Sequence, residues 1–304
     1  MIVCSFYKFI NIDDTNLFKK LLLHTCKDRY INGTFILAKE GINASFSGEK
    51  KAVQEVQKFL KKKVGADISF KLSTCTKNPF LRLRVKVKKE IIKLGVGEIW
   101  SGFSKGEYIK PENWNDFIDN KNVVLVDTRN KYESEIGFFE NSVFPETKNF
   151  SEFPKWIKKN EHSFKNKTIA MYCTGGVRCE KASSYLISAG YKNIYQLEGG
   201  ILSYIEKVDE KKSKWKGECF VFDERVSIDH SLKKGQYTQC FACRSALSKK
   251  DIESSFYTKG VSCHKCYLRT THKQKQNFKE REKQIQIAKS RGRKHLGIKS
   301  QKKL

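Results

Sequence analysis

The sequence predicts an α/β protein in three parts. These are a small α+β unit, a doubly wound α/β domain with a central parallel sheet, and a Cys-rich segment followed by a basic tail. Three observations predict it. The first hundred residues alternate strand and helix patterns in the order β-α-β-β-α-β. Residues 123–126 are a short, continuous apolar run, the mark of a strand buried on both faces; 168–172 read as a second such strand and 194–197 as a third strand. Cys240, Cys243, Cys263 and Cys266 form two CxxC pairs. The 304 residues suit two or three domains. Their expected spans are 1–95 for the first unit, 96–118 for a connector, 119–213 for the α/β domain, 214–272 for the Cys-rich segment and 273–304 for the tail.

In the first unit, Ile2–Ile10 reads as a strand, and Asp13, Asp14 and Thr15 can cap a helix running to about Cys26. Gly33–Ala38 and Asn43–Phe46 read as strands paired around the turn Glu40-Gly41-Ile42. A helix over Lys50–Lys62 and strands over Asp67–Leu72 and Phe80–Lys88 complete the ferredoxin-like split pattern. On the last strand Leu81, Leu83, Val85 and Val87 alternate with Arg82, Arg84, Lys86 and Lys88. The cations would stand about 6.6 Å apart on one face. Such a row suits a phosphate backbone, and equally suits an edge strand charged against aggregation.

The connector carries Gly95 and Gly97 and then a short helix from Pro111. In the second domain, strands are expected over Val123–Val126, Thr168–Tyr172 and Ile194–Leu197, with a helix over Glu180–Ala189 that ends at Gly190. Ligands of such sheets sit at the carboxyl ends of the strands. After Lys207 the chain becomes more polar, and from Lys273 it holds 12 Lys/Arg against two Glu. That tail reads as helical or disordered.

Composition narrows the function. Apolar residues are 39% of the chain, enough for real cores, so full disorder is excluded. No run approaches the roughly 18 apolar residues of a membrane span, and residues 1–10 do not read as a signal peptide, so a cytoplasmic protein without membrane contact is expected. The net charge of +27 favours a polyanionic partner. Lys outnumbers Arg 49 to 11, so part of that charge can be compositional bias. A cytosolic chain keeps its thiols reduced, and clustered Cys then read as metal ligands or reactive thiols.

Cys173-Thr174-Gly175-Gly176-Val177-Arg178 lies between a buried strand and a helix start. Main-chain amides at a helix N-terminus are unpaired, and the helix dipole there favours negative charge. A Cys at that place has a lowered pKa and is nucleophilic. Gly175 and Gly176 let the backbone curl around the sulfur, and Arg178 adds positive charge. This reading requires the sulfur to lie within a ring of amides and to be open to solvent. Cys-based phosphatases need five residues between Cys and Arg; here there are four, and the six-residue loop better fits a terminal sulfur such as a persulfide. Cys179 is either a resolving thiol or a residue packed under the first helical turn. Asp127 and Arg129 end the neighbouring strand and are expected to hold the loop from beneath.

Val126-Asp127-Thr128-Arg129, the Cys173–Arg178 loop and Leu197-Glu198-Gly199-Gly200 together resemble a rhodanese domain. Five longer strings are more specific: Cys173 through Ser183, Asp127 through Asn130, Tyr132 through Gly137, Glu40 through Asn43, and Lys89-Glu90-Ile91. They resemble the bacterial rhodanese-domain tRNA uridine-34 hydroxylase family, formerly known only as an uncharacterised protein family. The resemblance implies an acylphosphatase-like N-terminal domain and oxygen-dependent hydroxylation of the wobble uridine at C5, giving 5-hydroxyuridine. It also implies tRNA as the partner, through its anticodon loop, molecular oxygen as co-substrate, and Cys173 as the active residue. The sequence names no electron donor. It carries neither a dinucleotide Gly fingerprint nor a two-His-one-carboxylate set for iron. Direct participation of the Cys173 thiolate, or of its persulfide or oxidised form, is therefore expected: addition at C6 of uridine makes C5 nucleophilic. The alternatives are a sulfurtransferase carrying a persulfide on Cys173 and a non-catalytic RNA-binding scaffold.

The pairs Cys240/Cys243 and Cys263/Cys266, nineteen residues apart, match zinc-ribbon spacing. Four thiolates close a tetrahedron and leave no position for water, so the zinc would be structural. His264 lies inside the second pair and is expected to be exposed rather than a ligand. The ribbon and tail are expected to grip RNA or to dock a protein.

Overall fold

A computed structural model describes residues 1–97 and 105–292. Residues 98–104 of the expected connector and 293–304 of the expected tail lie outside the described residues.

The first sheet contains β1 (Ile2–Phe9), β2 (Asn32–Ala38), β3 (Gly41–Gly48), β4 (Lys71–Thr74) and β5 (Leu83–Val87), with helices α1 (Thr15–Lys27) and α2 (Lys50–Val64). Its order is β4-β1-β3-β2-β5, a ferredoxin-like sheet extended by one strand parallel to β2. The Asp14 carboxylate accepts from the amides of Asn16 and Leu17 and so starts α1 as its sequence promises. Strand alternation sets the two faces. Cys4, Phe6, Phe35, Leu37, Ala44 and Phe46 are buried with Leu22 of α1 and Val56 and Leu60 of α2. Ser5, Tyr7, Asn43 and Ser45 point the other way and are half-buried. That second face is polar and carries no helix of its own unit.

Two strands differ from expectation. β4 starts at Lys71 rather than Asp67, because its pairing with β1 runs from Ser5↔Lys71 to Ile2↔Thr74. On β5 only Val85 is fully buried, and Leu81 and Val87 are exposed. β5 is an edge strand with a single pairing partner, so the core covers only its centre.

The second sheet is wholly parallel, in the order β6-β10-β9-β7. Its strands are β6 (Glu107–Ile109), β7 (Val123–Asp127), β9 (Thr168–Tyr172) and β10 (Ile194–Leu197), and a short β8 (Gly137–Phe139) stands apart. Around them run α3 (Pro111–Ile118), α4 (Lys131–Ser134), α5 (Phe153–Lys159), α6 (Glu161–Phe164), α7 (Val177–Ser188) and α8 (Gly200–Lys207). One apolar layer joins Val126, Ile169 and Met171 to Phe153 and Leu186. The other joins Leu125, Ala170 and Tyr172 to Trp114, Ile201 and Tyr204. α7 begins three residues before the expected Glu180, because Gly176 at φ +103° lets the chain enter the helix straight from the loop.

The segment after 213 is woven into this domain. β11 (Trp215–Gly217) pairs with β8, and Trp215 packs edge-on against Phe139 and Tyr172. Beyond it are two-residue strands: β12 (Cys219–Phe220) with β13 (Ser227–Ile228), and β14 (Thr238–Gln239) with β15 (Ala246–Leu247). α9 (Lys249–Ile252) and α10 (His272–Ser290) follow. α10 buries no residue; Arg281 ties it to the carbonyls of Phe241 and Gly260 at 3.0 and 2.7 Å. No helix among the described residues is long and apolar enough to cross a membrane.

Candidate active site

Cys173 directly follows β9, at the carboxyl end of the parallel sheet. Its Sγ accepts from the Gly176 amide at 3.1 Å and faces the first amides of α7. The Gly199–Gly200 turn clasps the loop from behind. The amides of Ile201 and Leu202 donate to the carbonyls of Cys173 and Thr174 at 3.0 and 3.1 Å. A Cβ on Gly200 would lie 2.4 Å from the Cys173 carbonyl oxygen.

Burial by itself would raise the Cys173 thiol. The Cys179 thiol as donor, the Arg178 charge, and the amides of Cys179 and Arg178 outweigh it, and the pKa falls to about 5. The sulfur is an anion at neutral pH. Cys179 is buried under the first turn of α7, with Thr128 Oγ1 3.4 Å from its sulfur. Burial, and the thiolate to which it donates, push its own titration well up, so it keeps its proton.

Arg178 places both arms on the Glu133 carboxylate at 2.7 Å each, and one arm lies 3.5 Å from Thr174 Oγ1. Val177 opens α7, and Gly175 has open space where a side chain would stand. Asp127 and Arg129 form a second buried, forked pair at 2.9 and 2.6 Å. Arg129 also donates to the Gly137 carbonyl at 2.6 Å and lies over the Trp215 ring. Thr128, between them, donates its amide to the Tyr172 carbonyl at 3.0 Å. This pair therefore fixes the end of β7 against β9, next to the loop.

Several residues that sequence reasoning left without a role meet at the same place. Lys181, one turn into α7, is buried; its ammonium donates to Glu40 at 2.8 Å, to Glu90 at 2.6 Å and to the Ile92 carbonyl at 3.1 Å. Glu40 also accepts from the Ile91 amide at 2.7 Å, and Asn43 donates to the Ile91 carbonyl at 3.3 Å. Next to Lys181, the Glu180 carboxylate accepts from the hydroxyls of Tyr7 and Tyr108 at 2.9 and 2.6 Å. The strings 40–43, 89–91 and 173–183 thus converge on one seam between the two sheets. Their shared appearance was the available signal; their joint location was not.

The polar face of the first sheet roofs the loop. The Tyr7 hydroxyl would sit 3.0 Å from a Cβ on Gly176. Cys173 is 1% exposed. The expected amide ring is present, and the expected opening to solvent is not, because Tyr7 stands over the loop and Leu94 and Phe150 belong to the apolar layer beside the sulfur.

Arg82, Arg84, Lys86 and Lys88 stand exposed on and beside the edge strand β5. Partial burial, then the charges of Arg82 and Arg244, lower the Arg84 pKa.

Cys240, Cys243, Cys263 and Cys266 bring their sulfurs within 4.8 Å of one another. Neighbouring sulfurs are 3.7, 3.8 and 3.9 Å apart. A zinc tetrahedron with sulfurs at about 2.3 Å has edges of about 3.8 Å, so the donor set fits that ion. His264 is outside the set, its ring 3.5 Å from Asp251.

A parallel sheet that delivers a Cys into a loop of helix N-terminal amides defines a rhodanese-fold protein, and residues 111–207 match the family model described as rhodanese-like domain. Residues 1–91 match the model described as UPF0176 acylphosphatase like domain. With both in this order, the chain has the architecture of the UPF0176 family. Among solved structures, a rhodanese-like domain protein from Staphylococcus aureus is similar at 28% identity over 34% of this chain and 93% of that one, with a TM-score of 0.28. A rhodanese-related protein from Thermoplasma volcanium is 26% identical over 33% and 92%, TM-score 0.27. A protein of unknown function from Rhodopseudomonas palustris, described as a possible tyrosine phosphatase, is 22% identical over 33% and 80%, TM-score 0.30.

Proposed function

We propose that this protein is a tRNA-modifying oxidoreductase that hydroxylates the wobble uridine at C5, using molecular oxygen and giving 5-hydroxyuridine. The observation that carries the reading is the gathering of the family-like strings around one thiolate, Cys173, with a pKa of about 5. Cys173 is 1% exposed, so the reading requires the roof over the loop to open for the base. In the step we then assign to it, Cys173 Sγ adds to C6 of the uracil. The C5=C6 electron pair moves onto C5 and O4 as an enolate. C5 then takes one oxygen atom from an oxygen species at the peroxide level, and the other atom leaves as water. Loss of the C5 proton expels the thiolate and restores the double bond. An external donor supplies the two electrons that bring molecular oxygen to that level. Thr174, Gly175, Gly176, Val177 and Arg178 shape the cradle, and Asp127, Arg129 and Cys179 support it. The four C-terminal Cys hold a structural zinc ion. Arg82, Arg84, Lys86, Lys88 and the cations of α10 contact tRNA phosphates, and the anticodon loop presents the base.

Nucleoside mass spectrometry on tRNA incubated with the protein and a reductant tests this. The expected product is 5-hydroxyuridine, formed with oxygen and absent without it, and lost in Cys173→Ser. Product formation by Cys173→Ser overturns the role of the thiolate. A sulfur-bearing uridine instead of an oxygen-bearing one supports the second reading, a persulfide sulfurtransferase, which the six-residue loop favours.

A further inference from the structure

The polar face of the N-terminal sheet brings a second charged group to the thiol loop. Lys71 begins β4 and pairs with Ser5 of β1, on the same face as Tyr7. Its ammonium crosses to the rhodanese domain and donates to Ser203 Oγ at 3.0 Å. It lies against the Gly199–Gly200 turn, 2.5 Å from where a Cβ on Gly199 would stand. That turn is the one whose following amides clasp the carbonyls of Cys173 and Thr174. Among the described residues, the Lys71 ammonium has one hydrogen-bond partner, the Ser203 hydroxyl, a neutral group for a half-buried cation with three donors. Arg178 and Lys181, the other cations at the loop, have their donors on Glu133, Glu40 and Glu90. Burial lowers the Lys71 pKa, and the fields of Glu206, the Cys173 thiolate and Glu198 act in the opposite sense, toward the charged form. Of these cations it is the one with no carboxylate within ion-pair distance among the described residues.

We propose that Lys71 is the anion-binding residue of the active site, the group that holds the negative charge a uracil ring carries once Cys173 has added to it. The N-terminal domain is then a wall of the reaction chamber. The inference rests on Cys173 being the reactive sulfur of the proposed function. It explains why a uridine-directed thiol site needs the acylphosphatase-like domain seated on it: the rhodanese loop supplies the nucleophile, and β4 supplies the counter-charge for what the nucleophile makes. Tyr7, held by Glu180, fixes the spacing between the two domains at the loop.

The test uses the full chain and two small reagents, with mass spectrometry of the peptide that carries Cys173. Iodoacetate brings a negative charge to the sulfur, and iodoacetamide brings none. The ratio of their rates at Cys173 is expected to fall about tenfold in Lys71→Met and to be restored in Lys71→Arg, the scale on which one well-placed charge steers a small anion. An unchanged ratio, or an equal fall in both rates, overturns the proposal. Hydroxylation by the same variants separates it from the functional reading. Lys71→Met is expected to lose turnover while retaining tRNA affinity. If the native chain forms no 5-hydroxyuridine, the substrate assignment fails, and the reagent ratio still decides whether Lys71 binds anions beside Cys173.

Discussion

The molecule gathers cysteine sulfur in two places, by opposite means. At Cys173 a single thiolate is stabilised by main-chain amides, a neighbouring thiol and the Arg178 charge, all fixed by a sheet with apolar layers on both faces. At the C-terminal end four sulfurs crowd within 4.8 Å in a lobe whose strands are two residues long and whose core is little more than the Cys themselves, Leu247 and half-buried Ala242 and Tyr257. The comparison teaches an order of dependence. The rhodanese loop is a by-product of a fold that stands on its own packing. The Cys-rich lobe has little apolar surface, and an ion held by its four sulfurs would supply the stability that packing does not.

Stripping the metal should therefore break the comparison most severely. Chelation, or Cys240→Ser, is expected to remove about 10 kcal/mol or more of binding-linked stability from the lobe while leaving the rhodanese domain folded. Limited proteolysis checks it: cleavage should appear within residues 230–292 and spare 111–207, alongside loss of one zinc per chain by elemental analysis. Cuts spread evenly over both regions would mean that the lobe is not metal-dependent.

The seam comes next. Lys181→Met leaves the buried Glu40 carboxylate and the half-buried Glu90 carboxylate without their cation, and breaking a buried pair costs about 3–5 kcal/mol. Thermal denaturation should show that loss, and the N-terminal unit should separate from the rhodanese domain. An unchanged midpoint would mean that the two domains do not rely on this hub.

The smallest effect sharpens the thiolate side. The rate of Cys173 alkylation should be flat above about pH 6 and fall as pH drops through about 5, where the sulfur takes up its proton. Cys179→Ala removes a donor to the thiolate and should move that midpoint upward. A midpoint near the ordinary thiol value of 9.0 in the native chain would contradict the amide cradle.

Much of this was legible in residue order. Thr168–Tyr172 and Ile194–Leu197 are strands with the expected bounds, because most of their residues are apolar and the flanking Lys, Asn and Glu mark the ends. The spacing of the four Cys foretold their convergence. β6 was not legible: Glu107–Ile109 has only three residues, too few to show a period, and it is a strand because β10 offers it a parallel edge. Glu180 and Lys181 read as an ordinary polar stretch of helix. What distinguishes them is a partner about 140 residues away in Lys181–Glu40, and no local pattern carries that information. Lys71 was missed for the same reason, as one Lys among 49.

The roof over the loop has a consequence for the life of the enzyme. A sulfur that is ionised in a cell exposed to peroxides invites oxidation to sulfinic and sulfonic acids, from which a thiol does not return. With Tyr7 and Lys71 overhead and 1% of the residue exposed, the resting thiolate is shielded from that attrition. Peroxide and substrate alike have to pass this roof to reach the sulfur, so the same contacts that protect the thiolate also limit access to it.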